Sequence, residues 1–141
     1  MELIQEEGDC TVTGSYLLLY RAVYNLVENA IKYNHSGGKV TVKISQKKDL
    51  PAAHSKPTDY ALVEVTDTGI GISPEFQKKI FDPFFRVDKS RSRAMGGAGL
   101  GLALVNEIAR QHGGQVKVLE SSEKGSTIAL MLPINSPLIE I

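Results

Sequence analysis

The chain has 141 residues, 42% hydrophobic and 23% charged, which suits one compact globular domain with enough apolar material for one sizeable core. Lys+Arg and Asp+Glu are 16 each, so the formal net charge is zero, and no global electrostatic case exists for nucleic acid or an acidic membrane surface. A lone cysteine, Cys10, excludes an internal disulfide and a multi-cysteine zinc site, and is expected to be a buried free thiol. No apolar run reaches the ~18 residues of a membrane span, and Met1-Glu2-Leu3-Ile4 is too short and acidic for a signal peptide. A cytosolic setting is expected.

In chain order, residues 1–6 and 10–12 are expected to form short strands that pair across Gly8. Ser15 is placed to cap a long helix reaching Tyr33, closed by the turn Asn34-His35-Ser36-Gly37-Gly38. Residues 40–44 and 62–66 alternate apolar and polar positions and read as strands, separated by a polar, proline-bearing loop over 48–59. A turn follows at 67–71, and Ser73-Pro74-Glu75 opens a short helix with Pro at its first position. Residues 82–99 are polar, basic and finally glycine-rich, and 82–98 are expected to form a flexible lid. Residues 100–112 form a helix with Leu100, Leu104 and Ile108 on one face, stopped by Gly113-Gly114. Strands over 115–120 and 126–132 complete the chain, joined around Lys124-Gly125. Adjacent strands mixed with helices predict an α+β class: a two-layer α/β sandwich, with helices covering one face of a mixed, mostly antiparallel sheet.

Three local patterns stand out. On the first helix, Tyr16, Leu19, Val23, Leu26, Val27 and Ala30 form the expected core stripe, while Asn25, Asn29 and Lys32 recur at i, i+4 and i+7 on what reads as the opposite face. Asn is a mediocre helix former, so two in mid-helix suggest more than a solvated surface. Asp67-Thr68-Gly69-Ile70-Gly71 is either an ordinary tight turn, with Asp67 bonding its own backbone, or a place where glycines let a flat ligand approach a carboxylate. Gly96-Gly97-Ala98-Gly99-Leu100-Gly101 opens the last helix. It fits neither the dinucleotide fingerprint nor a P-loop, and is either a linker or an anion site of backbone N–H groups. Arg86, Lys89, Arg91 and Arg93, preceded by Phe81, Phe84 and Phe85, make the segment before it basic with an apolar anchor.

Together, Asn25-Leu26-Val27-Glu28-Asn29-Ala30, Asp67-Thr68-Gly69-Ile70-Gly71, Phe81-Asp82-Pro83-Phe84-Phe85-Arg86 and Gly97-Ala98-Gly99-Leu100-Gly101-Leu102 resemble, in order and spacing, the N, G1, F and G2 boxes of sensor histidine kinases. The resemblance covers about residues 10–133 of what is expected to be a single domain over 1–141. It implies the Bergerat ATP-binding fold, shared with gyrase, heat-shock chaperone and mismatch-repair ATPases, and the cofactors ATP and Mg²⁺. By resemblance, Asn29 is the Mg²⁺ ligand, Asn25 orients the metal's water shell, Lys32 contacts phosphate and Arg86 approaches the γ-phosphate from the lid. Asp67 reads the adenine amino group. Tyr33 either stacks on adenine or packs in the core. Gly69, Gly71, Gly97, Gly99, Leu100 and Gly101 line the nucleotide, and Thr127 lies near an adenine-bound water.

Hydrolytic relatives carry Glu one turn before the metal-binding Asn, as general base for water. Asn25 occupies that position here, which suits a kinase whose imidazole acceptor already has a lone pair. None of His35, His54 and His112 lies in a context resembling the family's acceptor. The resemblance therefore implies a partner, a helical dimerisation and phosphoacceptor domain outside this chain, with a response regulator acting beyond it. It also implies a monomer for the isolated domain, a parent kinase anchored in the cell membrane, and no nucleic-acid partner. A Ser/Thr kinase of the anti-sigma type and a nucleotide-gated interaction module are the alternatives on the same fold.

Overall fold

A computed structural model describes residues 1–6, 8, 10–50, 58–85 and 101–134. The elements are β1 (Glu2–Gln5), α1 (Tyr16–Lys32), β2 (Val40–Leu50), β3 (Thr58–Asp67), two 3₁₀ turns (Pro74–Phe76 and Lys79–Phe81), α2 (Gly101–Gln111), β4 (Gln115–Ser122) and β5 (Gly125–Pro133). They form a five-stranded sheet in the order β1-β2-β3-β5-β4. The β1–β2 pair is parallel and the other pairs are antiparallel. This is the expected mixed, mostly antiparallel sheet.

Side-chain alternation along each strand divides the sheet into two faces. Val42, Val63, Val65, Val116, Ile128, Leu130 and Leu132 point to one face, where they pack with Ala22, Leu26 and Ala30 of α1 and Val105, Ile108 and Ala109 of α2. This is the main core. The other face carries a small cluster of Leu62, Ala129 and Met131 with Tyr60 against it. β5 lies inside the sheet, which is why residues 126–132 are buried without a break.

Ser15 caps α1 as expected, its hydroxyl accepting from the Leu18 N–H at 3.2 Å. His112, in the last turn of α2, ties the two helices together. Its Nδ1 donates to the Ile108 carbonyl at 2.8 Å and its Nε2 accepts from the Ser15 N–H at 3.1 Å. The first turn of one helix and the last turn of the other thus share one imidazole, and Gly14 leaves room for the ring.

Several expectations are corrected. Residues 10–12 are not a strand, because β1 pairs with β2 and not with them. β2 and β3 run further into 48–59 than the polar composition suggested, since a hairpin arm tolerates polar residues on both faces once it leaves the core. Residues 51–57 lie outside the described part. The short helix expected after Ser73 is present as a 3₁₀ turn that starts at Pro74, and a second 3₁₀ turn follows it. On α2 the buried residues are Val105, Ile108 and Ala109, whereas Leu104 is exposed. On α1, Tyr16 is exposed and Ala22 takes its place in the core. Cys10 is half-buried. Among the described residues, no helix is long and apolar enough to cross a membrane.

Leu26 is 1% exposed where α1 meets the sheet. Leu26→Ala is expected to lower unfolding stability by about 3 kcal/mol, from lost transfer energy plus a cavity. Urea titration checks this.

Candidate functional site

The site begins on α1. At about 100° per residue, Asn25, Asn29 and Lys32 fall roughly 60–120° from Leu26. They occupy a flank of the helix and are half-buried, which corrects the expected placement opposite the core. The solvent pole is taken by Leu17, Tyr20, Tyr24 and Ile31. Asn25 Nδ2 donates to the Gly101 carbonyl at 3.4 Å, so this flank faces the first turn of α2, where the glycine-rich run ends. Lys32 sits 4.0 Å from Glu28, one turn back.

At the end of β3, Asp67 is paired with Ser126 and lies on the helix-covered face of the sheet. Only 9% of Asp67 is exposed. One carboxylate oxygen accepts from the Gly69 N–H at 2.8 Å, the tight-turn bond anticipated from sequence. Burial pushes the Asp67 carboxyl above the usual carboxylate range. Backbone N–H bonds from Gly69 and Ser126, and the charge of His35, oppose that rise.

The glycines around Asp67 serve backbone packing. A Cβ on Gly69 would collide with the Tyr33 carbonyl at the end of α1, and one on Gly71 with the Ser122 carbonyl of β4. A Cβ on Gly125 would strike the Asp67 carbonyl itself. Gly71 (φ 79°) and Gly125 (φ 137°) also occupy the left-handed half of backbone space. Gly101 differs: a Cβ there would meet nothing within 4 Å, so no packing contact among the described residues requires glycine.

Tyr33 caps the C-terminus of α1, and its carbonyl accepts from the Ile70 N–H at 3.3 Å, joining the helix end to the glycine turn. Thr127 is a correction. Its Oγ1 lies 2.8 Å from Thr66 Oγ1, on the face of the sheet away from Asp67, because neighbouring strand residues point oppositely. Ser126 is the residue on the Asp67 side, and its Oγ lies 2.8 Å from Ser121 Oγ. Ser121 Oγ in turn accepts from the Ile72 N–H at 2.6 Å. Phe81 is a buried core residue, Phe85 rests on Phe76 with ring centroids 5.6 Å apart, and Phe84 is 69% exposed with φ 65°. Arg86, Gly97, Gly99 and Leu100, with the rest of 86–100, lie outside the described residues.

Sequence reasoning missed a polar clasp beside Asp67. Asn34 Nδ2 donates to the Lys39 carbonyl at 2.8 Å. Asn34 Oδ1 accepts from the His35 N–H at 2.8 Å and from Thr68 Oγ1 at 3.1 Å. Thr68 Oγ1 accepts from the Lys39 N–H at 2.8 Å. Gly38 packs flat against Asn34 and Thr68. The clasp locks the end of α1, the start of β2 and the turn after β3 into one unit. The available signal was an Asn directly after a helix whose following turn holds Gly37-Gly38.

Comparison with known proteins defines the class. The family described as Histidine kinase-, DNA gyrase B-, and HSP90-like ATPase matches residues 14–136, and the chain belongs to that family. It is 40% identical over 129 residues to the sensor histidine kinase RppB of Synechocystis sp., covering 92% of this chain and 26% of RppB. The chain thus spans about a quarter of that relative's length. Among solved structures, the mycobacterial sensor histidine kinase MprB superposes with a TM-score of 0.71 at 33% identity, over 94% of this chain and 82% of that one. Full-length ShkA, solved in complex with AMPPNP, gives 0.68 at 25% identity, over 97% of this chain and 27% of ShkA.

Two outcomes follow from the site. Because the folded protein holds the Asp67 proton more tightly than the unfolded chain, ionisation of Asp67 opposes folding as pH rises above its ordinary value of 3.8. Its contribution is full below that pH and is lost as pH climbs through the raised folded value. The stability of Asp67→Asn relative to the parent is expected to grow across that window, read by thermal melts from pH 3.5 upward. Asn34→Ala, which removes the clasp, is expected to cost about 1–3 kcal/mol by leaving the Lys39 carbonyl and Thr68 hydroxyl short of partners. Denaturant titration checks this.

Proposed function

We propose that this chain is the nucleotide-binding catalytic unit of a sensor histidine kinase. On this reading it binds ATP with Mg²⁺ and presents the γ-phosphate to a histidine on a separate helical domain of the parent. The observation that carries the reading is Asp67. A carboxylate buried at a strand end, held by backbone N–H groups and pushed towards its neutral form, is costly to the fold, and reading a ligand's amino group accounts for its retention.

ATP·Mg²⁺ supplies the transferable phosphoryl group and the charge that neutralises its oxygens. The residues of the chain bind and orient. Asp67 accepts from the adenine amino group, and Gly69 and Gly71 shape the turn beside it. Asn29 offers an amide oxygen to the metal and Asn25 holds its water shell. The described residues contain no cluster of three or more His, Cys, Asp or Glu that could hold a metal, which suits an ion bound chiefly through phosphates and water. Lys32 meets the phosphates, as does Arg86, with Gly97, Gly99, Leu100 and Gly101 forming the cradle before α2. Among the described residues nothing lies within 4 Å of a Cβ placed on Gly101, which supports close approach of a ligand there. Asn25, in place of a general-base Glu, leaves water unactivated and favours transfer over hydrolysis. A response regulator would act downstream, and a cytosolic setting follows from the use of ATP.

Asn29→Ala is expected to weaken Mg²⁺-dependent ADP binding by about tenfold while sparing metal-free binding, a selective loss of ~1.4 kcal/mol. Calorimetry with and without magnesium distinguishes this from a folding defect, which would lower both. Incubated alone with ATP·Mg²⁺, the chain is expected to gain no acid-labile phosphate, because in-line transfer needs a positioned acceptor and none of His35, His54 and His112 lies in a sequence context resembling the family's acceptor. The parent's helical domain added in trans should be labelled, weakly, since tethering is lost. Label on Ser or Thr of a partner, stable to acid, would favour the Ser/Thr kinase alternative.

A further inference from the structure

The helices leave one face of the sheet open. Among the described residues, α1 and α2 pack on the side of Val42, Val63 and Leu130, and no helical residue joins the cluster of Leu62, Ala129 and Met131 on the other side. A groove on this open face is lined by Tyr60, Leu62 and Met131, with Leu119, Lys47 and Lys117 around them. Leu62 and Met131 are buried, but Leu119 is 42% exposed. Among the described residues neither Lys47 nor Lys117 is in an ion pair. The groove therefore offers an apolar floor and two cations at its rim.

The chain that leaves β5 has the matching chemistry. Pro133 ends the strand opposite Tyr60, at one end of the groove. Asn135-Ser136-Pro137 follows shortly, a run of turn-forming residues suited to reversing the chain. Leu138-Ile139-Glu140-Ile141 comes next, three apolar residues and one acid. We propose that 135–141 folds back over the open face and docks 138–141 in this groove. In an extended chain Ile139 and Ile141 share one side. Ile139 then covers Leu62 and Met131, Ile141 lies towards Leu119, and Glu140 meets the long Lys117 side chain at the rim.

The reach suffices. Lys117 is paired with Ala129, four residues back along β5 from Pro133, a distance of about 14 Å. Residues 134–141 span up to about 27 Å when extended, which leaves length for the turn. The covalent tether holds the segment beside the groove at a roughly millimolar effective concentration, so a weak contact is populated. Asp67 and α1 lie on the opposite side of the sheet, so the inference does not depend on the proposed function.

Nitrogen-15 relaxation of the 141-residue chain tests this. The heteronuclear NOE of residues 138–140 is expected to match that of β5. In a Cys10→Ser background, Leu119→Cys with Ile141→Cys should form a disulfide within one chain on oxidation under dilute conditions, whereas Tyr20→Cys with Ile141→Cys should not. Adding Glu140→Lys should slow that linkage about threefold, the size of an exposed ion pair, and adding Lys117→Glu as well should restore it. Lys117 is exposed, so circular dichroism should report an unchanged sheet. An NOE near zero across 138–140, equal linkage to Tyr20→Cys, or a double charge variant as slow as Glu140→Lys overturns the proposal. Linkage found only between two chains also overturns it, by giving the groove to a second copy.

Discussion

Where β3 ends, three backbone segments touch with no side chain between them. Gly69 lies on the Tyr33 carbonyl, Gly125 on the Asp67 carbonyl and Gly71 on the Ser122 carbonyl. This contact joins the last turn of α1, the turn after β3 and the β4–β5 hairpin. The position of Asp67 relative to Asn29 and Lys32 depends on it. A methyl group at any of these glycines would separate elements whose spacing sets the distance between the two ends of the site. The Asn34–Thr68–Lys39 clasp and the Ser126–Ser121–Ile72 chain brace the same junction from either side with side-chain hydrogen bonds. Rigid backbone packing, supported by a satisfied polar shell, is what positions a buried carboxylate reproducibly.

Much of this was legible in the sequence where a physical period or a punctuating residue carried the signal. The Ser15 cap, the glycine stop after α2, the alternation in β2 and β3 and the spacing of Asn25, Asn29 and Lys32 all follow from local geometry. The four motif blocks, taken in order, pointed to the family. The failures lay where a single residue of rotation or register decides the answer. Thr127 and Ser126 are adjacent, and only the pairing of Asp67 with Ser126 reveals which one faces the carboxylate. Leu104 and Val105 pose the same question on α2. The partner of β1 was unreadable because its pairing with β2 spans the whole of α1.

The first helix also shows why amphipathic reading has a ceiling. A helix is normally divided into an apolar face and a polar face, and on that basis Tyr16 falls on the core stripe. α1 instead has three surfaces: a core face of small and medium apolar residues, a half-buried amide and lysine flank, and an aromatic pole open to solvent. Two of the three are apolar, so hydrophobicity alone cannot say which one meets the sheet. Side-chain size is the better guide. Ala22, Leu26 and Ala30 allow close approach to the strands, whereas the tyrosines would hold the helix away.

Phe81 and Val105 are both buried in the main core, and the residues between them carry the F-box arginine and the glycine run. A stretch fixed at both ends in the core adds little to the cost of folding when its length changes, since each doubling of a loop costs only about 0.6 kcal/mol. Insertions, deletions and rewritten charge in that interval should therefore leave the sheet and helices intact. The fold can thus hold the Asp67 end of the candidate site constant while the sequence between Phe81 and Val105 diverges from one relative to the next.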